Sequence, residues 1–211
     1  MKKSVIAALI SVAMLVPTAG FAQFGNVLGS VKSLAGSSSG GASTDLTGQQ
    51  DQLVRNYVAA GKDVLSANTY MAEALGIKNL SVNAAATSDS MSASDIEGQD
   101  KAISANAQAI AEATKAGATL KDSEAKAKYA QGLAALVLGA KKYVGMRGDV
   151  QNFSSGLSSA SLLQLPKLQS GVYVVKSLPT SAANLTDSLK SAIDFARHNG
   201  VEVPSDATSL L

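Results

Sequence analysis

Few residues in this chain are equipped for chemistry. There is one histidine, His198, and no cysteine in 211 residues. A zinc or copper site built from imidazole and thiolate lacks its ligands, and a serine or cysteine nucleophile has a single conceivable imidazole base. His198 follows Arg197 near the end of a helical pattern, where a cation complements the helix dipole, so a structural role is expected for it. The carboxylates Asp89, Asp95, Glu97 and Asp100 fall in a stretch with no cation between Lys78 and Lys101. Such a group could attract calcium, but the alternating oxygen ligands and central glycine of a calcium loop are missing, and helix-start electrostatics accounts for the acids. No phosphate loop, dinucleotide fingerprint or nucleophile elbow occurs. No catalytic, cofactor-binding or metal-binding residue is assigned, no cofactor is expected, and the expectation is a protein that is not an enzyme.

The positioning elements begin after a leader. Met1-Lys2-Lys3 precedes the apolar run SVIAALISVAMLV, Pro17 breaks it, and Gly20-Phe21-Ala22 places small residues where a signal peptidase reads. Residues 1–22 are thus expected to be a signal peptide, with export to the periplasm or beyond. The run falls short of the roughly 17–25 residues of a membrane span, and no later stretch qualifies, so no transmembrane span is expected after cleavage. Removing Lys2 and Lys3 from the 18 basic residues matches the 16 acidic ones, so the mature chain carries no net formal charge. That balance gives no electrostatic reason to expect nucleic acid or anionic lipid as a partner. Without cysteine there is no disulfide framework and no lipid-bearing cysteine at the cleavage site.

The apolar period beyond residue 46 is helical. Thr47 and Gln50 have the spacing of a capping box, and Leu53, Val54, Tyr57, Val58, Val64, Leu65, Met71 and Leu75 follow at steps of three, four and seven, interrupted by Gly61 and Asn68. This predicts a helix over about 47–75 with Gly76 closing it. Ser94 and Glu97 suggest a second box opening a helix of about 94–120, carried by Ile96, Ile103, Ala107, Ile110, Thr114 and Leu120. Asp122-Ser123-Glu124 signals a third start, with Tyr129, Leu133, Leu136, Val137, Ala140 and Val144 on the buried face. Its uncharged stretch GLAALVLGA, with the small-residue spacing of Ala135 and Gly139, fits either a membrane-inserting hairpin or a central bundle helix. Lys141 and Lys142 follow at once and the stretch is too short to span, which favours the central helix. Beyond Phe153 the pattern weakens. A segment beginning at Pro166 carries Leu168, Val172, Val175 and Leu178 and is expected to end at Pro179. Leu185, Leu189, Ala192, Ile193 and Ala196 then mark a last helix to about Asn199, closed by Gly200. The fold class expected is all-α, an antiparallel bundle of about four to five helices in a single domain over 47–211.

The C-terminal stretches SGVYVVKSLP and SAIDFARHNGVEVPSDAT resemble those of uncharacterised secreted helical proteins of proteobacteria. The resemblance implies export and helices, and it brings no activity or functional residue. The residues themselves lead to a non-catalytic exported interaction or structural protein of the bacterial envelope; the alternative is a periplasmic carrier of a lipid or other apolar ligand within the bundle.

Residues 23–46 supply the one candidate binding element. Phe24, Val27, Leu28, Val31 and Leu34 share one side of a short helix, followed by the Gly/Ser-rich linker GSSSGGAST. A helix so short, with Gly25 and Gly29 inside it, needs a surface to fold against. A partner envelope protein, a second copy of the chain and the chain's own bundle all qualify. Membrane-surface contact is weakly supported, since the segment has a single lysine. These five residues are the candidate partner-docking positions.

Overall fold

The computed structural model describes residues 45–80 and 91–211. The leader, the five candidate docking residues, the Gly/Ser linker and Asp89 lie outside them. Among the described residues there is no strand, and the fold is all-α: α1 (Leu46–Leu75), α2 (Ala93–Lys115), α3 (Ser123–Gly145), α4 (Arg147–Leu157) and α5 (Gln169–His198), with 3₁₀ turns at Leu165–Leu168 and Ala207–Leu210.

Local chemistry sets the ends. Asp45, rather than Thr47, caps α1, its Oδ1 accepting the Gly48 N–H at 2.9 Å. The capping box of α2 lies two residues earlier than its sequence pattern suggests. Ser92 Oγ accepts from the Asp95 N–H and Asp95 Oδ2 from the Ser92 N–H. Asp122 caps α3 as expected, taking the Ala125 N–H at 2.8 Å. α2 stops at Lys115, short of residue 120, because Gly117 adopts φ +86° there, just as Gly76 and Gly200 turn the chain after α1 and α5. Ile77 and Val201 then return N–H groups to Ala72 and Ala196, satisfying carbonyls the helices leave open.

The core is organised by α1, which packs against α2, α3, α4 and α5. The central place expected for 123–145 therefore belongs to α1. The two helices meet along small residues. A Cβ added at Gly132 would lie 2.7 Å from Met71 Cγ and 3.0 Å from the Ala67 carbonyl oxygen; one at Gly139 would lie 2.7 Å from Val64 Cγ2 and 3.3 Å from the Ala60 carbonyl oxygen. The contacts descend α1 as they ascend α3, so the pair runs in opposite directions. Leu53, Val54, Tyr57, Val64, Leu133, Leu136, Val137, Leu185, Leu189 and Ile193 are all buried, as their periodicity predicts. Val144 is not: Tyr143 takes the inward place against Tyr57, ring centroids 5.2 Å apart, and leaves Val144 exposed.

Two further expectations are corrected. The helical pattern from Asp122 to Phe153 breaks at Met146, which ends α3 and is itself buried. Pro179 does not end a helix, because α5 runs unbroken through it. The proline is exposed while Leu178, Leu185 and Leu189 are buried. The missing N–H and ring crowding cost about 3 kcal/mol, and apolar burial on the other side offsets that at about 1.5–3 kcal/mol per fully buried side chain. The sequence VYVV lies inside this helix. Among the described residues no helix is long and apolar enough to cross a membrane.

The α1–α3 seam predicts an inversion of ordinary helix propensity. Gly132→Ala should destabilise the protein by about 1–3 kcal/mol through overpacking, despite the roughly 1 kcal/mol that alanine gains over glycine in a helix. Gly145→Ala, where an added Cβ meets nothing within 4 Å, should be neutral or stabilising. Reversible urea unfolding of both variants checks this, and the reverse order contradicts the seam.

Candidate functional site: a tyrosine–aspartate cluster and its cleft

The one convergence of phenol and carboxylate groups among the described hydrogen bonds joins three helices. Asp100 sits about two turns inside α2, half-buried, and its Oδ2 accepts the Tyr57 hydroxyl of α1 at 2.8 Å and the Tyr173 hydroxyl of α5 at 2.9 Å. The Tyr57 oxygen also meets Ser181 Oγ of α5 at 2.9 Å. With the Tyr57 proton directed to the carboxylate, Ser181 is the donor in that second bond. Tyr143 of α3 packs edge-on to Tyr57, so all four long helices reach this point.

The electrostatics follow from burial. Burial pushes the Asp100 carboxyl above its ordinary range and the nearby Glu97 adds to this, while the two tyrosine hydrogen bonds pull the other way. Burial, then Tyr143 and Asp100, drives the Tyr57 phenol far above its normal value, and burial raises Tyr143 likewise. Tyr173, closer to solvent, is pushed up to about 12, again mainly by burial. The phenols therefore remain protonated donors at neutral pH. Chemically the cluster is a brace, in which neutral donors hold a reluctant carboxylate between helices.

The acidic group of the sequence separates. Asp95 serves the α2 cap, and its Ser92 hydrogen bonds lower its pKa. Glu97 pairs with Lys101 at 2.7 Å along an exposed helix face. Asp100 departs from the helix-start role assigned to it, because its place about two turns inside α2 lets it reach Tyr57. His198 is exposed in the last turn of α5, its Nδ1 2.7 Å from the Asp194 carbonyl oxygen, as expected of a helix-end residue. Among the described residues no three histidine, cysteine, aspartate or glutamate side chains gather as a metal site would require. Tyr173 and Ser181 were missed. The available signal was a tyrosine within an aliphatic helix face, since a phenol so placed needs a polar partner.

Beside the cluster α2 stands away from α5. Between them is a cleft of about 320 Å³, floored by Met71, Tyr129 and Leu136 and rimmed by Ser104, Gln108, Asn184, Asp187, Ser188 and Ser191. A narrower recess of about 50 Å³ reaches Asp100 and Ser181 and shares the walls Asn68, Ser104, Ala107, Leu136, Asn184 and Ser188. Asn68 Nδ2 donates to the Ile103 carbonyl at 3.3 Å, and Gln99 packs over Gly61 fully buried with neither amide atom hydrogen-bonded to another protein group.

Two outcomes test the brace. Tyr57→Phe keeps the ring contact but removes both hydroxyl bonds, and urea unfolding should show a loss of about 1–3 kcal/mol; a change near zero contradicts it. Since the folded state raises the Asp100 pKa above the ordinary 3.8, it holds that proton more tightly than the unfolded chain does. The resulting stability is fully present below 3.8 and lost as pH rises through the raised value. The stability of the native chain minus that of Asp100→Asn should accordingly fall as pH rises above 3.8, and a rise would contradict the shift. No family model, curated protein or solved structure matches the chain, so its site stands on this geometry alone.

Proposed function

We propose that the chain is an exported, non-catalytic protein of the bacterial envelope that acts by contact with another envelope protein or a second copy of itself. The leader-like residues 1–22 support export, with the periplasm as destination. The observation that carries the contact reading is the pair Leu162 and Leu163, 73% and 87% exposed on the connection between α4 and the Leu165–Leu168 turn. Adjacent leucines add nothing to the core there and present an apolar tip to whatever binds. That tip adjoins the start of α1, because Gln50 donates to the Lys167 carbonyl and Gly156 closes on Leu46. In this reading the amphipathic residues Phe24, Val27, Leu28, Val31 and Leu34 form a second docking element and the helical bundle is the rigid body behind both.

The cluster supports a non-catalytic role. Asp100 Oδ2 already receives two phenols, and Ser181 is engaged with Tyr57 rather than with a free base. A carrier of apolar ligands has less support. The interior positions are filled by Leu53, Tyr57, Leu133, Leu136, Leu189 and Ile193, and the cleft has a rim of hydroxyl, amide and carboxylate groups that a wholly apolar ligand would leave without partners.

Replacing both Leu162 and Leu163 by serine should leave stability within about 0.5 kcal/mol, since neither side chain is buried. Cross-linking in the native envelope and sedimentation of the purified chain should nevertheless show loss of its complexes, hetero- or homo-oligomeric. Complexes that persist in this variant and also after deletion of residues 23–35 would contradict the contact reading.

A further inference from the structure

The cleft between α2 and α5 carries an acidic group toward each end, the inner one, Asp100, already accepting two phenols at its Oδ2. Asp187 borders its wide part and Asp100 its narrow end, and no lysine, arginine or histidine is among the residues lining either part. Their spacing follows from the helix. Asp100 Oδ2 accepts directly from Tyr173 of α5 and from Tyr57, whose oxygen meets Ser181, so the carboxylate lies alongside the stretch from Tyr173 to Ser181 and Asp187 is at least six residues further along. At 1.5 Å per residue the two acids are at least about 9 Å apart along the axis. Between them the wall is apolar, formed by Ile103, Ala107 and Leu136, with Ser104, Asn184 and Ser188 supplying oxygen acceptors beside it.

We propose that this cleft binds a short aliphatic diamine, with one ammonium at Asp187, the other at the Asp100 end, and the methylenes against Leu136 and Ile103. Each feature of the wall has a counterpart in such a molecule. Two separated carboxylates favour a cation at each end, serine and asparagine oxygens replace part of the ammonium hydration, and aliphatic side chains accept the stem as they accept that of a lysine. A neutral diol gains nothing from the carboxylates, and a monoamine engages one of them. The proposal is independent of the contact function, since Leu162 and Leu163 do not line the cleft.

The test is calorimetric titration of the exported chain at low ionic strength and neutral pH with hexamethylenediamine, hexylamine and hexanediol. The diamine should bind saturably at one per chain, about tenfold more tightly than hexylamine, with hexanediol silent. Asp187→Asn, a change at an exposed side chain that leaves the helices intact, should reduce the diamine to the hexylamine level. Ala111→Leu, which fills the cleft, should abolish binding with the circular dichroism unchanged; should that variant misfold, the Asp187 variant and the ligand series decide. Absence of saturable diamine binding, equal affinity for diamine and monoamine, or an unaltered affinity in Asp187→Asn would overturn the proposal.

Discussion

The close approach of α1 and α3 governs the rest of the structure. Gly132 and Gly139 are seven residues apart on α3, and Ala60 and Ala67 are seven apart on α1, so that two turns of each helix bring small residue against small residue. Glycine in a helix interior costs about 1 kcal/mol relative to alanine. Here that cost is offset because backbone can lie against backbone, and dispersion contacts are gained along the whole seam. With the two axes so near, larger side chains are directed to the flanks. Tyr57 and Tyr143 meet edge to face, Tyr129 and Phe195 pack with tilted rings 5.0 Å apart, and Leu136 and Leu189 are buried.

α2 is attached to this pair in another way. Its fully buried side chains are few, and two of them, Gln99 and Asn106, are polar. Gln99 brings an amide into contact with Gly61 without a protein hydrogen-bond partner, a burden of order 1–3 kcal/mol on the docking of this helix. The Tyr57–Asp100–Tyr173 brace compensates at one end, and near the other Leu120 donates its N–H to Asn199 Oδ1 at 3.4 Å. Between those ties small side chains of α2, Ser104, Ala107 and Ala111, face Asn184, Ser188 and Ser191 of α5 across the cleft. One rigid helix pair with a polar-docked third helix thus explains both the cluster and the opening beside it.

Much of this was legible in the sequence where a single element carried the signal. The stripe through Leu53, Tyr57 and Val64 and the acidic start at Asp122 depend on periodicity and capping, which neighbouring residues determine. Where two elements had to be known together, the sequence was silent. Ala135 and Gly139 stood out as a small pair at spacing four, whereas the seam pairs Gly139 with Gly132, and only the position of Ala60 and Ala67 reveals that. Asp100 belonged to an acidic run until Tyr57 and Tyr173, 43 and 73 residues away, gave it partners. Pro179 was a helix breaker by local rule, and tertiary burial of Leu178 and Leu185 on the opposite side overrode it.

Native-state hydrogen exchange read along the chain tests this division of the fold most directly. The account predicts that central amides of α1 and α3, around Val64 and Leu136, exchange only through global unfolding, while those of α2 around Gln99 to Ile110 exchange through a smaller opening that leaves α1 and α3 protected. Protection of α2 equal to that of α1 and α3, or opening of the α1–α3 seam before α2, would contradict it.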